Sequence, residues 1–253
     1  MTSAVGHRQR VTWTRNPREP SRRFVSEGAK VLLVDLDEKG LARALEAVGV
    51  SNASAMRADV TEPEDAERYV HAAVERYGGV DILLANAGVE CSVTPIADCA
   101  VDSFDKVMAV NVRGVWLALK YAIPEIAKRG GGSIVITSSI AGIHGYPGMS
   151  PYVTSKHAVV GLMRTAALEC APLKIRVNTI NPAPIETRMM RSLEESMAPG
   201  QPGTAKEKFT SMVPLGRYGT ADEVANIMLF LACDDGRYCT GGVYMIDGGV
   251  SAT

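Results

Sequence analysis

The sequence lacks the features of several large classes of protein. Its 253 residues contain five cysteines but no CxxC pair, which predicts free thiols in a reducing compartment and neither a disulfide framework nor a metal site. No run approaches the ~18 apolar residues of a membrane-spanning helix, and no apolar segment near the N-terminus is typical of a secretory signal. The 27 basic residues do not exceed the 28 acidic ones, which argues against a nucleic-acid-binding protein. These absences predict a soluble, cytoplasmic, globular protein.

The N-terminal segment differs in composition from the rest of the chain. Residues 1–23 hold six arginines against one acid and contain no leucine, isoleucine or lysine. An arginine-rich, acid-poor segment is typical of an organelle transit peptide, but Pro17 and Pro20 would break the amphipathic helix that such a peptide forms. A disordered leader is one alternative, and a replaced or frame-shifted N-terminus is another. Residues 1–21 are therefore set apart as an atypical segment.

Beyond Phe24, short apolar runs alternate with helical patterns, which is typical of a parallel sheet covered by helices on both faces. The predicted strands are residues 30–35, 53–59, 81–85, 133–137, 176–180 and 243–246. The predicted helices are residues 38–47, 61–77, 102–128, 152–170 and 221–232. Residues 22–253 are thus predicted to form one doubly wound, Rossmann-like α/β domain. Within it, residues 188–215 are expected to form an irregular substrate flap.

Small or polar residues follow the predicted strands where each one ends. They are Asp35, Asp59 and Val60, Asn86, Ala87 and Gly88, Ser138 and Ser139, and Asn181 and Pro182. In open α/β sheets, ligands bind beyond the carboxyl ends of the strands. The pattern therefore predicts a ligand site at this edge of the sheet.

A tyrosine and a lysine stand at the start of the predicted helix 152–170. Tyr152 and Lys156 are four residues apart, so both side chains project from one helix face. A tyrosine with a pKa near ~10 is a poor base at neutral pH, and a neighbouring ammonium is expected to lower that pKa. The spacing alone is weak, because an exposed tyrosine beside a solvated lysine would look the same. Ser139, at a strand end upstream, is placed to hydrogen-bond the same substrate oxygen.

In combination these motifs resemble the short-chain dehydrogenase/reductase family. The resemblance runs from about residue 22 to residue 253 and includes NAG at 86–88, VNV at 110–112, SS at 138–139, YVTSK at 152–156, TGG at 240–242 and DGG at 247–249. It implies a hydride exchange between a nicotinamide cofactor and an alcohol or carbonyl carbon.

The resemblance also implies a role for each catalytic candidate. Tyr152 would donate or accept the proton, and Lys156 would lower the pKa of Tyr152 and hold the nicotinamide ribose. Ser139 would orient the substrate oxygen, with Ser138 as the fallback. Asn111 would hold a water molecule in the proton relay, although by itself it would be interpreted as a polar helix residue that bonds the backbone.

Asp35 is the residue that would select the cofactor. A carboxylate at the end of this strand accepts hydrogen bonds from the adenosine ribose and repels a 2′-phosphate, which favours NAD(H) over NADP(H). The alternative is that Asp35 only caps the next helix. Asp59 and Val60 resemble the adenine contact, and Thr187 resembles the residue that touches the carboxamide. The cofactor-binding residues implied are Asp35, Asp59, Val60, Asn86, Ala87, Gly88, Tyr152, Lys156, Pro182, Ile185 and Thr187.

The sequence departs from the family pattern in two places. Ala183 stands where the family usually has glycine after the proline beside the nicotinamide. The family also begins with an apolar strand and a TGxxxGxG turn that binds the pyrophosphate. Its three glycine positions fall here on Val11, Arg15 and Pro17. The first strand and the glycine turn are therefore expected to be missing or replaced.

Three functions follow from these observations. The leading one is an NAD-dependent alcohol dehydrogenase or ketone reductase, for which the stretch NPAPIETRMM resembles members that act on cyclic alcohols or diols. Reduction of a 3-oxoacyl thioester is the alternative substrate class. A catalytically silent protein, unable to bind the dinucleotide without its glycine turn, is the alternative from another functional class. The partners expected are a small alcohol or carbonyl substrate and further copies of the chain in a homotetramer or dimer, with no nucleic acid and no membrane.

Overall fold

The computed structural model describes residues 10–14 and 18–252, with side chains described from residue 21 onward. Its centre is a seven-stranded parallel sheet with the order β3-β2-β1-β4-β5-β6-β7. The strands are β1 (Arg10–Thr14), β2 (Lys30–Asp35), β3 (Ala53–Arg57), β4 (Ile82–Ala85), β5 (Gly132–Thr137), β6 (Ile175–Pro182) and β7 (Val243–Ile246). The α-helices of the described part are α1 (Arg18–Ser26), α2 (Glu38–Val48), α3 (Pro63–Tyr77), α4 (Val101–Met108), α5 (Gly114–Lys128), α6 (Ser150–Cys170), α7 (Arg188–Met197), α8 (Pro202–Ser211) and α9 (Ala221–Ala232).

Helices cover both faces of the sheet, and each face has its own apolar core. Along β2, Leu32 and Val34 belong to one core cluster, whereas Val31 and Leu33 belong to the other. This division follows from the strand geometry, in which successive side chains point to opposite faces. Strands β2 and β4 thus carry buried apolar residues on both faces, as the sequence pattern predicted, and the doubly wound α/β fold is confirmed.

The first strand corrects one sequence-based expectation. Residues Arg10–Thr14 form β1 and pair in parallel with both β2 and β4, with Val11 opposite Val31 and Ile82. The strand was expected to be absent because the segment has few apolar residues. Main-chain groups form the ladder whatever the side chains, and valine, threonine and tryptophan favour extended structure. The predicted loss of the glycine turn and the possible disorder of the leader concern residues 15–17 and 1–9, which lie outside the described residues.

The expected irregular flap is also corrected, because residues 188–215 contain two helices. Thr187 caps the first, α7, by accepting a hydrogen bond from the amide of Met190, and Pro202 begins α8. Proline suits the first turn of a helix, where its missing N–H has no intrahelical partner to lose. Of the proline and glycine residues that suggested a loop, Pro199 and Gly200 lie in the short connection between the two helices, and Pro202 and Gly203 form the start of α8.

The parallel sheet brings the carboxyl ends of β2, β4, β5 and β6 to one edge. The residues that follow these strands therefore face the first turns of the helices after them. Within residues 10–14 and 18–252, no helix is long and apolar enough to cross a membrane. The same residues contain no cluster of His, Cys, Asp and Glu side chains suited to a metal ion.

Candidate active site

Tyr152 and Lys156 lie in the first two turns of α6, at the carboxyl edge of the sheet. The Lys156 side chain is buried, and its Nζ donates a hydrogen bond to the carbonyl oxygen of Thr137 at 2.9 Å. The same Nζ lies 5.5 Å from the centroid of the Tyr152 ring. The hydrogen bond to the end of β5 thus fixes the ammonium close to the tyrosine ring. The four-residue spacing on the helix brings the two groups together, as predicted.

Ser139 and Ser138 occupy different environments after β5. The Ser139 hydroxyl is within hydrogen-bond reach of the Tyr152 phenol, and it also accepts a hydrogen bond from the amide of Ala141 at 3.2 Å. The Ser138 hydroxyl is buried and donates to the carbonyl oxygen of Lys156 at 2.9 Å. The geometry therefore places Ser139 beside the tyrosine and uses Ser138 to join β5 to α6.

Asn111 lies in a π-helical turn between α4 and α5 and is 1% exposed. Its Oδ1 accepts from the amide of Val89 at 2.7 Å, and its Nδ2 donates to the carbonyl of Val89 and to the Ser155 hydroxyl, both at 3.0 Å. Local π-helical turns inside helices often occur at functional sites. This one brings the Asn111 amide to the hydroxyl of Ser155, in the segment of α6 that carries Tyr152 and Lys156.

Burial determines the protonation of the tyrosine and the lysine. It raises the pKa of Tyr152 to about 12, against a lowering effect of the Ser139 hydrogen bond, with Cys91 and Glu90 raising the value further. It lowers the pKa of Lys156 to about 8. The expectation of a lowered tyrosine pKa is thus wrong for the protein by itself, because loss of solvent disfavours the charged form of each group. At neutral pH the phenol holds its proton, and the lysine is mostly an ammonium.

The NAG segment follows β4 and packs against this group. A side chain at Gly88 would meet Oδ1 of Asn111 and Nζ of Lys156, each at 3.4 Å from its Cβ. Asn86 accepts a hydrogen bond from the Thr137 hydroxyl at 2.7 Å, and Ala87 is buried. The glycine thus permits a close approach of the main chain to the lysine and the asparagine.

The acidic candidates lie at the ends of β2 and β3. Oδ1 of Asp35 accepts a hydrogen bond from the amide of Asp37 at 3.0 Å, and Asp37 is the N-cap of α2. Asp35 is therefore not the N-cap of α2. It accepts a hydrogen bond from the main chain of the residue that is. Asp59 accepts from the amide and the hydroxyl of Thr61, at 2.9 and 2.8 Å, and Val60 is buried.

The remaining candidates follow β6. The carbonyl oxygen of Pro182 lies 3.4 Å from the Ser139 hydroxyl, and the amide of Ala183 donates to Ile246 at 3.1 Å. Ile185 is buried and bridges to Gly219, so the segment that leads to α7 is held on both sides. Thr187, as the cap of α7, ends this segment. These residues lie along the same edge as the tyrosine and serine.

Three further residues hold the site together; sequence reasoning missed Ser155 and Thr137, and it named Asn181 only as a strand-end residue. Ser155 contacts Asn111 and donates to the carbonyl of Tyr152 at 2.7 Å, Thr137 binds Lys156, and Asn181 donates to the carbonyl of Ser139 at 2.7 Å. Ser155 and Asn181 stand inside motifs that the sequence analysis quoted, so their position was a signal. The bond from Lys156 to Thr137 uses a main-chain carbonyl, which no residue type reveals.

Known proteins are similar to this chain over nearly its whole length, which includes all the strands and helices that carry the site. A family model described as enoyl-(acyl carrier protein) reductase matches residues 18–251. Levodione reductase from Leifsonia aquatica is 38% identical over 234 residues, which are 91% of this chain and 88% of that protein. A 3-oxoacyl-(acyl-carrier-protein) reductase from Thermotoga maritima is 37% identical over 90% of this chain and 89% of that protein. A cyclohexanol dehydrogenase from an Acinetobacter species is 32% identical over 89% of this chain and 86% of that protein.

Solved structures extend the similarity to the fold. The crystal structure of levodione reductase matches with a TM-score of 0.93 and 36% identity, over 98% of this chain and 100% of that one. The 3-ketoacyl-(acyl-carrier-protein) reductase from Brucella melitensis, complexed with NADH, matches with a TM-score of 0.89 and 30% identity, over 96% and 98% of the two chains. An NAD⁺-bound xylitol dehydrogenase gives a TM-score of 0.88 and 31% identity, over 95% and 98%.

Proposed function

This chain belongs to the short-chain dehydrogenase/reductase family and is an enzyme of the alcohol dehydrogenase and reductase kind, and we propose that it exchanges a hydride between NAD(H) and a secondary alcohol or ketone, with a cyclic substrate favoured. One observation carries the proposal. The Ser139 hydroxyl, the Tyr152 phenol and the Lys156 ammonium meet at the carboxyl edge of the sheet, where α/β proteins bind their ligands.

The described residues fit a nicotinamide dinucleotide. The main chain at Gly88 approaches the Lys156 ammonium and the Asn111 amide closely, so that a Cβ there would lie 3.4 Å from Nζ and from Oδ1, and a longer side chain would obstruct both groups. At the other end, the Asp35 carboxylate stands at the end of β2, where it favours NAD over NADP. We assign the adenosine ribose to Asp35, the adenine to Asp59 and Val60, and the nicotinamide ribose to Tyr152 and Lys156. Thr187 is assigned to the carboxamide.

The cofactor, when bound, supplies or accepts the hydride, and the side chains manage the proton and the substrate oxygen. Because its pKa is about 12, the Tyr152 phenol is protonated at neutral pH and is ready to donate to a developing alkoxide. The Ser139 hydroxyl hydrogen-bonds the same oxygen and fixes its position. The Lys156 ammonium, with a pKa of about 8, favours the phenolate that donation leaves behind. Asn111 links this group to the main chain of Val89, and we assign it the relay water.

The names of the relatives favour a small cyclic substrate. Levodione reductase and cyclohexanol dehydrogenase share 38% and 32% identity with this chain. The 3-oxoacyl-(acyl-carrier-protein) reductase, at 37% identity, supports the alternative, reduction of a 3-oxoacyl thioester. Oxidation of cyclohexanol with NAD⁺, measured beside reduction of an acetoacetyl thioester with NADH, separates the two. Faster turnover of the thioester would exclude the cyclic alcohol as the preferred class.

A catalytically silent protein is the second candidate, and one observation favours it. None of the three glycine positions of the phosphate-binding turn holds glycine, and Pro17 has no N–H to offer a phosphate. Equilibrium titration of the purified chain with NADH decides between the two functions. Binding in the micromolar range is expected for the enzyme, whereas a folded chain that binds no NADH would refute the proposed function.

We also propose a cytoplasmic homo-oligomer, a tetramer or a dimer. The five cysteines are free thiols, which suits a reducing compartment. Large apolar side chains are exposed on α4, α5 and α6, with Phe104 39%, Trp116 49% and Leu168 79% exposed. A contact between subunits would remove these side chains from water. Light scattering of the purified chain tests the assembly, and a monomer at micromolar concentration would contradict it.

A further inference from the structure

The π-helical turn Ala109–Arg113 contacts two parts of the site that lie far apart in the sequence. On one side, the Asn111 amide bonds both main-chain groups of Val89, at 2.7 and 3.0 Å. On the other side, the Arg113 guanidinium donates a hydrogen bond to the carbonyl oxygen of Thr61. Residues two apart on a helix do not face each other, so this one turn reaches both the catalytic group and the segment that follows β3.

The segment that follows β3 is also bonded within itself and to the next helix. The amide and the hydroxyl of Thr61 both donate to Oδ1 of Asp59, at 2.9 and 2.8 Å. The amide of Asp59 donates to Oδ2 of Asp65, in the first turn of α3, at 2.6 Å. These bonds join residues 59–61 to α3 and leave the carbonyl of Thr61 to be bonded from the side of α5.

The start of α5 packs against the same segment. Gly114 is buried, and a Cβ there would lie 2.9 Å from Cγ2 of Val60 and 3.3 Å from its carbonyl oxygen. Glycine therefore allows α5 to approach Val60 more closely than a residue with a side chain would. The adjacent Arg113 is exposed and bonds Thr61. Two consecutive residues of α5 and its preceding turn thus contact two consecutive residues after β3.

We propose that Arg113 is a positioning residue for the adenosine end of the cofactor. By holding the carbonyl of Thr61, it keeps residues 59–61 in the conformation that receives the adenine. The inference rests on the proposed function, which assigns the adenine to Asp59 and Val60, and it adds a residue from another part of the chain. A guanidinium stays charged in proteins, and hydrogen bonds from a charged donor are stronger than neutral ones. A segment that is already ordered loses less conformational freedom when its ligand binds, which raises the affinity.

The two halves of the cofactor separate this role from a general effect on the site. AMP carries the adenosine end, and reduced nicotinamide mononucleotide carries the other end. In Arg113→Ala, we expect the dissociation constants of AMP and NADH to rise at least fivefold, and that of the nicotinamide mononucleotide to change less than twofold. The KM for NAD⁺ should rise, whereas kcat should not fall, because the groups that transfer the proton are unchanged. Calorimetric titration and steady-state assays of the purified chain provide the measurements.

The matched control is Arg237→Ala. Arg237 is also exposed and also donates to a main-chain carbonyl, that of Asp234, but it lies in the connection between α9 and β7. Its removal should leave all three dissociation constants unchanged.

The outcomes distinguish a failure of this inference from a failure of the proposed function. An AMP dissociation constant that is equal, within twofold, in the parent chain and in Arg113→Ala would overturn the inference alone. An equal rise for AMP and for the nicotinamide mononucleotide would also overturn it, because the substitution would then loosen the site as a whole. A parent chain that binds AMP but no NADH refutes the proposed function, and a fivefold loss of AMP affinity in Arg113→Ala would still support the role of Arg113. A parent chain that binds neither ligand overturns both.

Discussion

The Ser138 hydroxyl donates a hydrogen bond to the main-chain carbonyl of Lys156 at 2.9 Å, in the interior of the protein. This bond joins the end of β5 to the helix that carries Tyr152, the proposed proton donor. Gly142 packs directly against the Ser138 hydroxyl. A Cβ on Gly142 would lie only 2.3 Å from the Ser138 Oγ, so this position has no room for a side chain. Successive residues of an extended chain point in opposite directions, so Ser139 turns toward Tyr152 instead.

The two serines should therefore respond differently to the same substitution. Ser139→Ala is expected to lower kcat/KM at least a hundredfold with little change in stability, because in the proposed mechanism its hydroxyl positions the substrate oxygen. Ser138→Ala should reduce the free energy of unfolding by about 1–3 kcal/mol, because it removes a buried hydrogen bond. Turnover by each variant and its denaturant unfolding provide the measurements. The reverse pattern would assign the catalytic role to Ser138.

The sequence predicted the strands of the sheet well where burial determined the residue types. The bounds of β2 and β7 agree with the prediction, and those of the other strands beyond β1 differ by one or two residues. Strand β1 was missed because its position between two apolar strands supplies hydrogen bonds that its own composition does not reveal. Helices α7 and α8 were missed because Thr187 and Pro202 act there as helix starts, while the neighbouring glycine and proline suggested a loop.

The candidate site was predictable as a set of residues but not in its electrostatics. Spacing on a helix is enough to bring Tyr152 and Lys156 together, and the strand ends bring Ser139 to them. The direction of the tyrosine pKa depends on how far the fold removes solvent, and the sequence gives no measure of that. The contribution of Glu90 was also missed, because a carboxylate after a strand has no special meaning until its neighbours are known.

Tyr152→Phe tests the proton-transfer role directly. The substitution keeps the ring and removes the hydroxyl, so we expect turnover to fall by ~10²–10⁴ or more, as for loss of a general acid. The affinity for NADH should change less than about threefold, because the lysine and the NAG segment remain. Steady-state assays measure the change in turnover, and fluorescence titration measures the affinity for NADH. Retained turnover would refute the assigned role.

Burial of Lys156 predicts a pH-dependent contribution to stability. Its pKa is about 8 in the folded protein, whereas the unfolded value is near 10.5. Below pH 8 both states are protonated, and the folded state bears the full cost of the buried ammonium. Between pH 8 and 10.5 the unfolded state binds more protons, so the stability contribution rises with pH.

The difference between the parent chain and Lys156→Met isolates this effect. Relative to the variant, the parent should gain about 2 kcal/mol in the free energy of unfolding between pH 7.5 and pH 10, from the size of the shift. Lys128→Met, which removes an exposed lysine at the end of α5, should show no such gain. A pH-independent difference for Lys156→Met would show that the ammonium is not desolvated.

Asn111 should be required for both stability and turnover. Asn111→Asp keeps the acceptor for the Val89 amide but loses the donor to the Val89 carbonyl and to Ser155, and it places a negative charge in a buried site. We expect a loss of about 2 kcal/mol or more in stability and a fall in kcat of at least tenfold. Ser155→Ala removes only one of these contacts, so its effect on kcat should be smaller. If both variants lower kcat equally, the hydrogen bonds between Asn111 and the main chain of Val89 do not matter for turnover.

Outside the catalytic group, a buried pair anchors the α7–α8 region. The Tyr218 hydroxyl donates to Oε1 of Glu194 at 2.9 Å, and the two residues are only 5% and 6% exposed. Burial and the bond to Glu194 raise the pKa of Tyr218, so its hydroxyl holds its proton at neutral pH and donates to the carboxylate. The Lys206 ammonium lies 5.1 Å from the centroid of the same ring and forms an ion pair with Glu186 at 2.6 Å.

Removal of this hydroxyl should weaken the region without a direct effect on chemistry. Tyr218→Phe leaves the Glu194 carboxylate buried without its donor, so we expect a loss of about 1–3 kcal/mol in the free energy of unfolding. The helices α7 and α8 follow the segment that carries Ile185 and Thr187, so KM should rise more than kcat falls. Tyr238→Phe is the matched control, because Tyr238 is fully exposed and its hydroxyl should contribute nothing. If both phenylalanine variants unfold at the same denaturant concentration, the pair does not anchor the region.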